Sequence, residues 1–324
     1  MYSIYYSLFT VYYAHIPELP EVQTTVNGLK QRVVGLTITG VWSDYNSPFF
    51  KGSETIKDPV YFKRFKKEVI GKKVVSAERR AKNILINLEG NATILVHMKM
   101  TGHLMYGAYR FDMKAKKDPW KPIEPESLKD PFNRHIHLML TFSNGKNLSL
   151  SDVRKFAKVA VVNTDVIHDS PHLLGIGPEP LDASFIFKEF IGRIHLRPNG
   201  KIKPVLMDQA IVAGIGNIYA DEALWRAGIH PLERVRNISE PKTRVLFDAI
   251  KKTLARGLDF GGDSTSDYRN IDGEKGRFHE NHYAYQRTGE RCQKKGCKGT
   301  IRRIMIGQRS AHFCDAHQAL SSKR

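Results

Sequence analysis

The sequence predicts an α+β protein: a β-rich first half opened by a helix, a helical second half, and a small cysteine-bearing hairpin at the end. Three observations carry this. β-Prone runs broken by turn signals recur between residues 36 and 162. Chain breakers then crowd together at Pro171, Gly175, Gly177, Pro178 and Pro180. Beyond them apolar residues follow helical spacing, and all three cysteines, Cys292, Cys297 and Cys314, fall near the end.

The opening helix starts in Pro17-Glu18-Leu19-Pro20-Glu21-Val22. Pro20 suits a first helical position, where its missing N–H would be unpaired anyway. Glu21 favours the positive end of the helix dipole. Val22, Val26, Leu29 and Val33 then recur at helical spacing, and Gly35 ends the run. Strands are expected over 36–41, 74–78, 84–88 and 93–97. The polar, proline-containing stretch 114–131 reads as a loop insertion. Runs at 135–142 and 147–150 flank Asn144-Gly145, which predicts a hairpin with a type I′ turn. A strand over 156–162 completes a β-sandwich. Helices are expected over 185–194, 204–212, 217–227 and 241–257, then a flexible Gly/Ser/Asp segment over 261–276.

Lys plus Arg number 51 against 33 Asp plus Glu in 324 residues, a net charge of +18. That excess suits a polyanion, most simply nucleic acid, although a solvated basic surface also accounts for it. No run of about eighteen apolar residues occurs, so no membrane span is expected. An odd, clustered cysteine set argues against a disulfide framework and for metal in a reducing compartment.

Cys292-x4-Cys297-x16-Cys314-x2-His317 offers two close ligand pairs suited to tetrahedral Zn2+. His312 is the rival fourth ligand, at poorer spacing from Cys314. Gly307-Gln308 reads as the turn of a hairpin between the pairs. Gly214-Ile215-Gly216-Asn217 opens a helix whose free N–H groups suit a phosphate; Asn217 could cap that helix or bind a phosphate oxygen. Arg79-Arg80-Ala81-Lys82 is otherwise a basic strand end, and Met100 otherwise core filler.

Taken jointly, these stretches, with His97-Met98-Lys99-Met100-Thr101-Gly102 and Asp152-Val153-Arg154-Lys155-Phe156, closely resemble the bacterial formamidopyrimidine-DNA glycosylases. The resemblance runs over nearly all of residues 17–320 in the family's order. It implies a catalytic β-sandwich over 17–165, a hinge over 166–182, a helix–two-turn–helix DNA-binding domain over 183–287 and a zinc finger over 288–320. In that reading Pro17 is the nucleophile through a free secondary amine, and Glu18 exchanges protons with the opening sugar. Lys82 contacts phosphate or lesion near them. Lys203, Asn217 and Arg309 hold DNA phosphates, with Lys155 standing where many relatives carry a second arginine. Met100 and Phe156 wedge into the base stack while Arg154 pairs with the orphaned base. The segment beginning Gly261-Gly262-Asp263 resembles a mobile loop covering the flipped base. The implied activity is excision of oxidised purines (8-oxoguanine and formamidopyrimidines) from double-stranded DNA, followed by strand cleavage through β,δ-elimination. The implied setting is a monomer in the bacterial cytoplasm, at the nucleoid. Leu19 favours this purine-directed branch over the endonuclease VIII branch, the enzymatic alternative.

Residues 1–16 conflict with that chemistry. A proline nitrogen inside the chain is a tertiary amide with its lone pair delocalised. The stretch MYSIYYSLFTVYYAHI lacks the basic start of a signal peptide. The favoured expectation is that translation begins at the codon now read as Ile16. Proteolytic removal is a second reading. Retention is a third, and it would leave a non-catalytic damaged-DNA-binding protein. An RNA-binding zinc protein is the weakest alternative.

Overall fold

In the computed structural model the described residues are 16–45, 47–115, 117–265 and 267–321, so nearly all of the expected extension lies outside them. Helix α1 spans Leu19–Arg32, and its buried face is Leu19, Val22, Val26 and Leu29, the expected spacing. At its start the Glu18 N–H donates to Glu21 Oε2 at 2.7 Å. Gly35 follows with φ +87°.

Two antiparallel sheets form the first half. One holds β2 (Val74–Arg80), β3 (Asn83–Leu88), β4 (Ala92–His97) and β9 (Lys158–Asn163) in that order. The other runs β1 (Ile38–Ser43), β7 (Ile136–Phe142), β8 (Asn147–Ser151), β5 (His103–Phe111) and β6 (Trp120–Glu124). Pairs such as Ile84↔Val96 and Leu140↔Leu148 set a register in which both sheets and α1 share one buried core, with Val22, Val26, Ile86, Ile94, Leu138 and Val159 in it. Each such aliphatic side chain contributes about 1.5–3 kcal/mol relative to exposure.

The second half has its own core, built from α3 (Phe187–Ile194), α4 (Ile202–Met207), α5 (Asn217–Ala227) and α6 (Glu240–Asp259). Leu19 packs into this second core, so the start of α1 joins the two halves. Strands β10 (Ile301–Ile306) and β11 (Arg309–Cys314) form the terminal hairpin, with Gly307 at φ +62° in its turn.

Several local expectations are corrected. Helix α2 (Pro59–Val69), capped by Asp58, and strand β5 were not anticipated. The 114–131 insertion is not a bare loop: it carries β6, which pairs with β5, and buries Leu128. Helix α4 ends at Met207 instead of 212, because Asp208 turns into extended backbone. Strand β9 begins only at Lys158. The β7–β8 turn is not type I′: only Gly145 takes positive φ, at +78°, and its N–H donates to the Phe142 carbonyl at 2.9 Å. Asn144 instead donates its side-chain amide to the Tyr106 hydroxyl at 2.8 Å. The segment 261–276, expected as flexible, buries Asp263, Tyr268, Arg269 and Ile271. Among the described residues no helix is long and apolar enough to cross a membrane.

Candidate active site

Glu18 sits where the two halves meet. It is 2 % exposed, and its carboxylate accepts from the backbone N–H groups of Gly216 at 2.7 Å, Ile218 at 2.9 Å and Tyr219 at 3.4 Å. These are the donors that the start of a helix leaves unpaired. Gly216 must be glycine for this, since a Cβ there would lie 2.5 Å from Glu18 Oε1. Asn217, one of the two readings of which was a helix cap, does not cap α5; the carboxylate from the other half does. Asn217 instead lies beside the Tyr285 hydroxyl.

A cleft of about 880 Å³ opens in front of this contact. Glu18, Lys82, Met100, Lys203, Asn217 and Arg309 all line it. Pro17 is buried, and its chain neighbours Ile16 and Glu18 both line the cleft. Burial raises the Glu18 carboxyl above its ordinary range, opposed by the Lys82 ammonium and the three amides. Burial lowers Lys82; Glu18 opposes this and the Arg309 charge adds to it. Behind Glu18, burial and the Glu18 charge push Glu21 up to about 8. Glu21 Oε1 accepts from the Tyr219 hydroxyl and the Asp263 N–H, each at 2.7 Å. His97 is pushed down to about 3 by burial and by Lys99, Lys82 and Lys158, and its neutral Nδ1 accepts from the Lys99 N–H at 3.0 Å.

Met100, Arg154 and Phe156, the expected wedge residues, meet as a group on the first half. Arg154 Nη1 lies 3.2 Å from Met100 Sδ, and its guanidinium stands 4.6 Å from the centre of the Phe156 ring. Phe156 is 46 % exposed, an apolar ring held in solvent. Sequence reasoning missed the residue that builds this loop. Asp152 is fully buried and accepts from the Tyr45 hydroxyl at 2.8 Å, the Ala157 N–H at 2.8 Å, the Arg154 N–H at 3.3 Å and the Thr101 hydroxyl. An Asp two positions before a turn was the available signal.

Two predicted phosphate contacts already have protein partners. Lys203 is buried, with Nζ 2.6 Å from Asp221 Oδ1 and 2.6 Å from the Ser310 carbonyl, so it ties α4 and α5 to the hairpin. Lys155 Nζ donates to Asp44 Oδ2 at 3.2 Å. Arg309 is exposed beside the Gly307 turn.

Cys292, Cys297, Cys314 and His317 converge, their ligand atoms all within 4.8 Å of one another. Cys297 Sγ lies 3.5 Å from Cys314 Sγ, and His317 Nδ1 lies 3.4 Å from Cys292 Sγ. Bonds of about 2.3 Å from thiolate sulfur to a tetrahedral ion fit edges of this length. His317 Nε2 donates to the Trp225 carbonyl at 3.0 Å, which turns Nδ1 toward the sulfurs and fixes the tautomer a ligand needs. The rival His312 is engaged elsewhere, with its Nδ1 3.1 Å from Asp221 Oδ2. These four residues could hold one metal ion.

A carboxylate clasp between two halves, a cation-lined cleft and a Cys3His hairpin fit a glycosylase of base excision repair. The comparisons with known proteins agree. The model of the formamidopyrimidine-DNA glycosylase N-terminal domain matches residues 16–159, and that of the formamidopyrimidine-DNA glycosylase H2TH domain matches residues 176–269. The formamidopyrimidine-DNA glycosylase of Herpetosiphon aurantiacus is 34% identical over 304 residues, covering 94% of this chain and 100% of that protein. A Lactococcus lactis Fpg structure in complex with abasic-site DNA matches with TM-score 0.77 and 30% identity, covering 93% of this chain and 99% of that one. A variant of the same Lactococcus lactis protein, with DNA containing Fapy-dG, matches with TM-score 0.77 at 31% identity over 94% and 100% of the two chains. The chain belongs to the formamidopyrimidine-DNA glycosylase family.

Proposed function

We propose that this glycosylase excises oxidised purines, 8-oxoguanine and formamidopyrimidines, from double-stranded DNA and then cleaves the strand as an AP lyase. Pro17 is the nucleophile. An α-amino group titrates near ~8, against about 10.4 for lysine, so a free terminal proline is largely unprotonated at working pH. Its lone pair bonds to the anomeric carbon as the glycosidic bond breaks toward the base, which takes the proton the nitrogen gives up; the ring C1′–O4′ bond then breaks, O4′ takes a proton, and an iminium links protein and sugar. Glu18 exchanges protons with the opening sugar, and successive eliminations release the strand ends. Lys82 binds close to the reacting sugar. Lys203, Asn217, Arg309 and Lys155 hold phosphates, and Met100, Arg154 and Phe156 fill the gap left by the flipped nucleotide. Lys203 and Lys155 would do so with the donors left over from Asp221, Ser310 and Asp44. Zn2+ on Cys292, Cys297, Cys314 and His317 would cross-link the hairpin that carries Arg309. We also propose the division 17–165, 166–182, 183–287 and 288–320 as the working domains, in a monomer.

The observation that supports this reading best is the burial of Glu18 against the start of α5, with Pro17 buried next to it in the chain, at a cleft lined with cations from both halves. The test is borohydride trapping on a duplex with one 8-oxoguanine. Protein beginning at Pro17 should give a covalent adduct mapping to Pro17, and protein retaining residues 1–16 should give none. Trapping by the retained form, or an adduct mapping to Lys82, would overturn the nucleophile assignment. Faster excision of an oxidised pyrimidine than of either purine lesion would move the chain to the endonuclease VIII reading.

A further inference from the structure

Residues 268–273 belong by sequence to the second half but pack into the first. Ile271 lies in the sandwich core, and its carbonyl accepts from the Tyr106 N–H at 2.7 Å. Asp272 meets Arg32 at 2.9 Å, and the Tyr268 hydroxyl donates to the Glu21 carbonyl at 3.0 Å. This strap is also gripped from the side by the insertion that follows β5. Asp130 takes Arg269 with both oxygens, Oδ2 to Nε at 3.2 Å and Oδ1 to Nη2 at 3.3 Å. Arg269 is 1 % exposed, and its guanidinium stands 4.6 Å from the centre of the Phe132 ring. Ser127 Oγ donates to the Asp272 carbonyl at 2.5 Å, and Asn133 Nδ2 to the Gly273 carbonyl at 3.1 Å.

The chain that leads into the strap reaches the site. Its approach begins at Asp263, whose N–H donates to Glu21 Oε1 behind Glu18. Asp267, next to Tyr268, is within electrostatic reach of Arg154, Asp152 and His135 at the wedge loop. A grip on 269–273 therefore bears directly on Tyr268, held to the Glu21 carbonyl, and on Asp267 beside the wedge.

We propose that the insertion is a clamp on this strap, and that Asp130 is a positioning residue for base excision, acting through Arg269. The proposal rests on the glycosylase reading above. An extruded base needs a wall of fixed position beside it; a sugar that has already lost its base does not. Loosening the clamp should then slow base excision while sparing cleavage at a preformed abasic site.

The test compares the protein beginning at Pro17 with its Asp130→Asn and Ser127→Ala variants. The amide keeps an acceptor for the Phe132 N–H, now 2.9 Å from Asp130 Oδ1, but removes the charge facing Arg269. Hydrogen–deuterium exchange of the free proteins is measured first: amides of 267–273 should exchange faster in both variants, with those of β3 and β4 unchanged. Single-turnover excision of 8-oxoguanine should fall by about 10- to 100-fold in Asp130→Asn and less in Ser127→Ala, with abasic-site cleavage held within about twofold. Unchanged exchange over 267–273, or equal loss of both activities, would overturn the clamp. Failure of the starting protein to excise or be trapped would instead overturn the glycosylase reading, and the exchange arm would still decide the clamp.

Discussion

Glu18 and Glu21 stand three positions apart, yet burial makes them do different work. Glu18 caps α5 through both carboxyl oxygens, so Glu18→Gln places amide hydrogens against backbone donors. Stability should drop by about 1–3 kcal/mol in urea unfolding, and imine formation by at least about 100-fold in single-turnover trapping. Glu21 gives a pH signature. Its folded carboxyl holds its proton up to about 8, whereas the unfolded chain releases it near ~4.3. The folded state then binds more protons through that window, so its contribution to stability declines as pH rises from about 4.3 toward 8 and levels off above. His97 acts at the other end. Its folded value near 3 lies below the ordinary ~6.5, so the unfolded chain takes the proton first and stability is lost as pH falls from about 6.5 toward 3. Thermal melts of wild type and His97→Gln across pH 4–7 should converge at the acid end, by about 1 kcal/mol or more for a shift of this size. The sequence string marked Glu18 out, and the structure places it on the lining of the cleft. Its cap on a helix about 200 residues away was not legible, because no local spacing encodes a long-range carboxylate-to-amide contact.

At the scale of elements, the 152–156 loop depends on Asp152, which accepts hydrogen bonds from Arg154 and Ala157 and, from outside the loop, from Tyr45 and Thr101. Asp152→Ala leaves those donors buried and unpaired, so a loss of about 1–3 kcal/mol is expected by denaturant unfolding. Phe156→Ala removes only an exposed ring. It should leave the melting curve in place while weakening binding to lesion duplex, measured by anisotropy. The contrast separates the loop's frame from its tip. Elements were legible in proportion to how local their signals are. Helix α5 begins and ends where its glycines and apolar spacing place it, at Asn217 and Ala227. Strand β6 hid in a proline-containing polar stretch, because its stability comes from pairing with β5 and not from its own composition. Helix α2 was missed although Asp58-Pro59 marked its start; its lysine-rich surface masked the buried face of Tyr61, Phe62, Phe65 and Val69. The β7–β8 turn took a different form because Asn144 found a partner in Tyr106, a neighbour the sequence does not reveal.

Across the whole molecule, the +18 net charge gains meaning from where its cations stand. Lys82, Lys99 and Arg309 face one cleft from both halves. If about five phosphates are neutralised, log affinity for duplex DNA should fall with log salt at a slope near −4.5, and Arg309→Ala should reduce that slope by about one without changing lesion preference. Stripping the metal from the Cys292–His317 cluster with a chelator should abolish duplex binding and release a single zinc ion per chain by dye titration, leaving the far-UV signal of the sandwich in place. The carboxylate clasp has a further consequence. The carboxylate next to Pro17 is steadied by amides that only the opposite half can provide. A copy of the first half alone would therefore lack the amides that hold the Glu18 carboxylate.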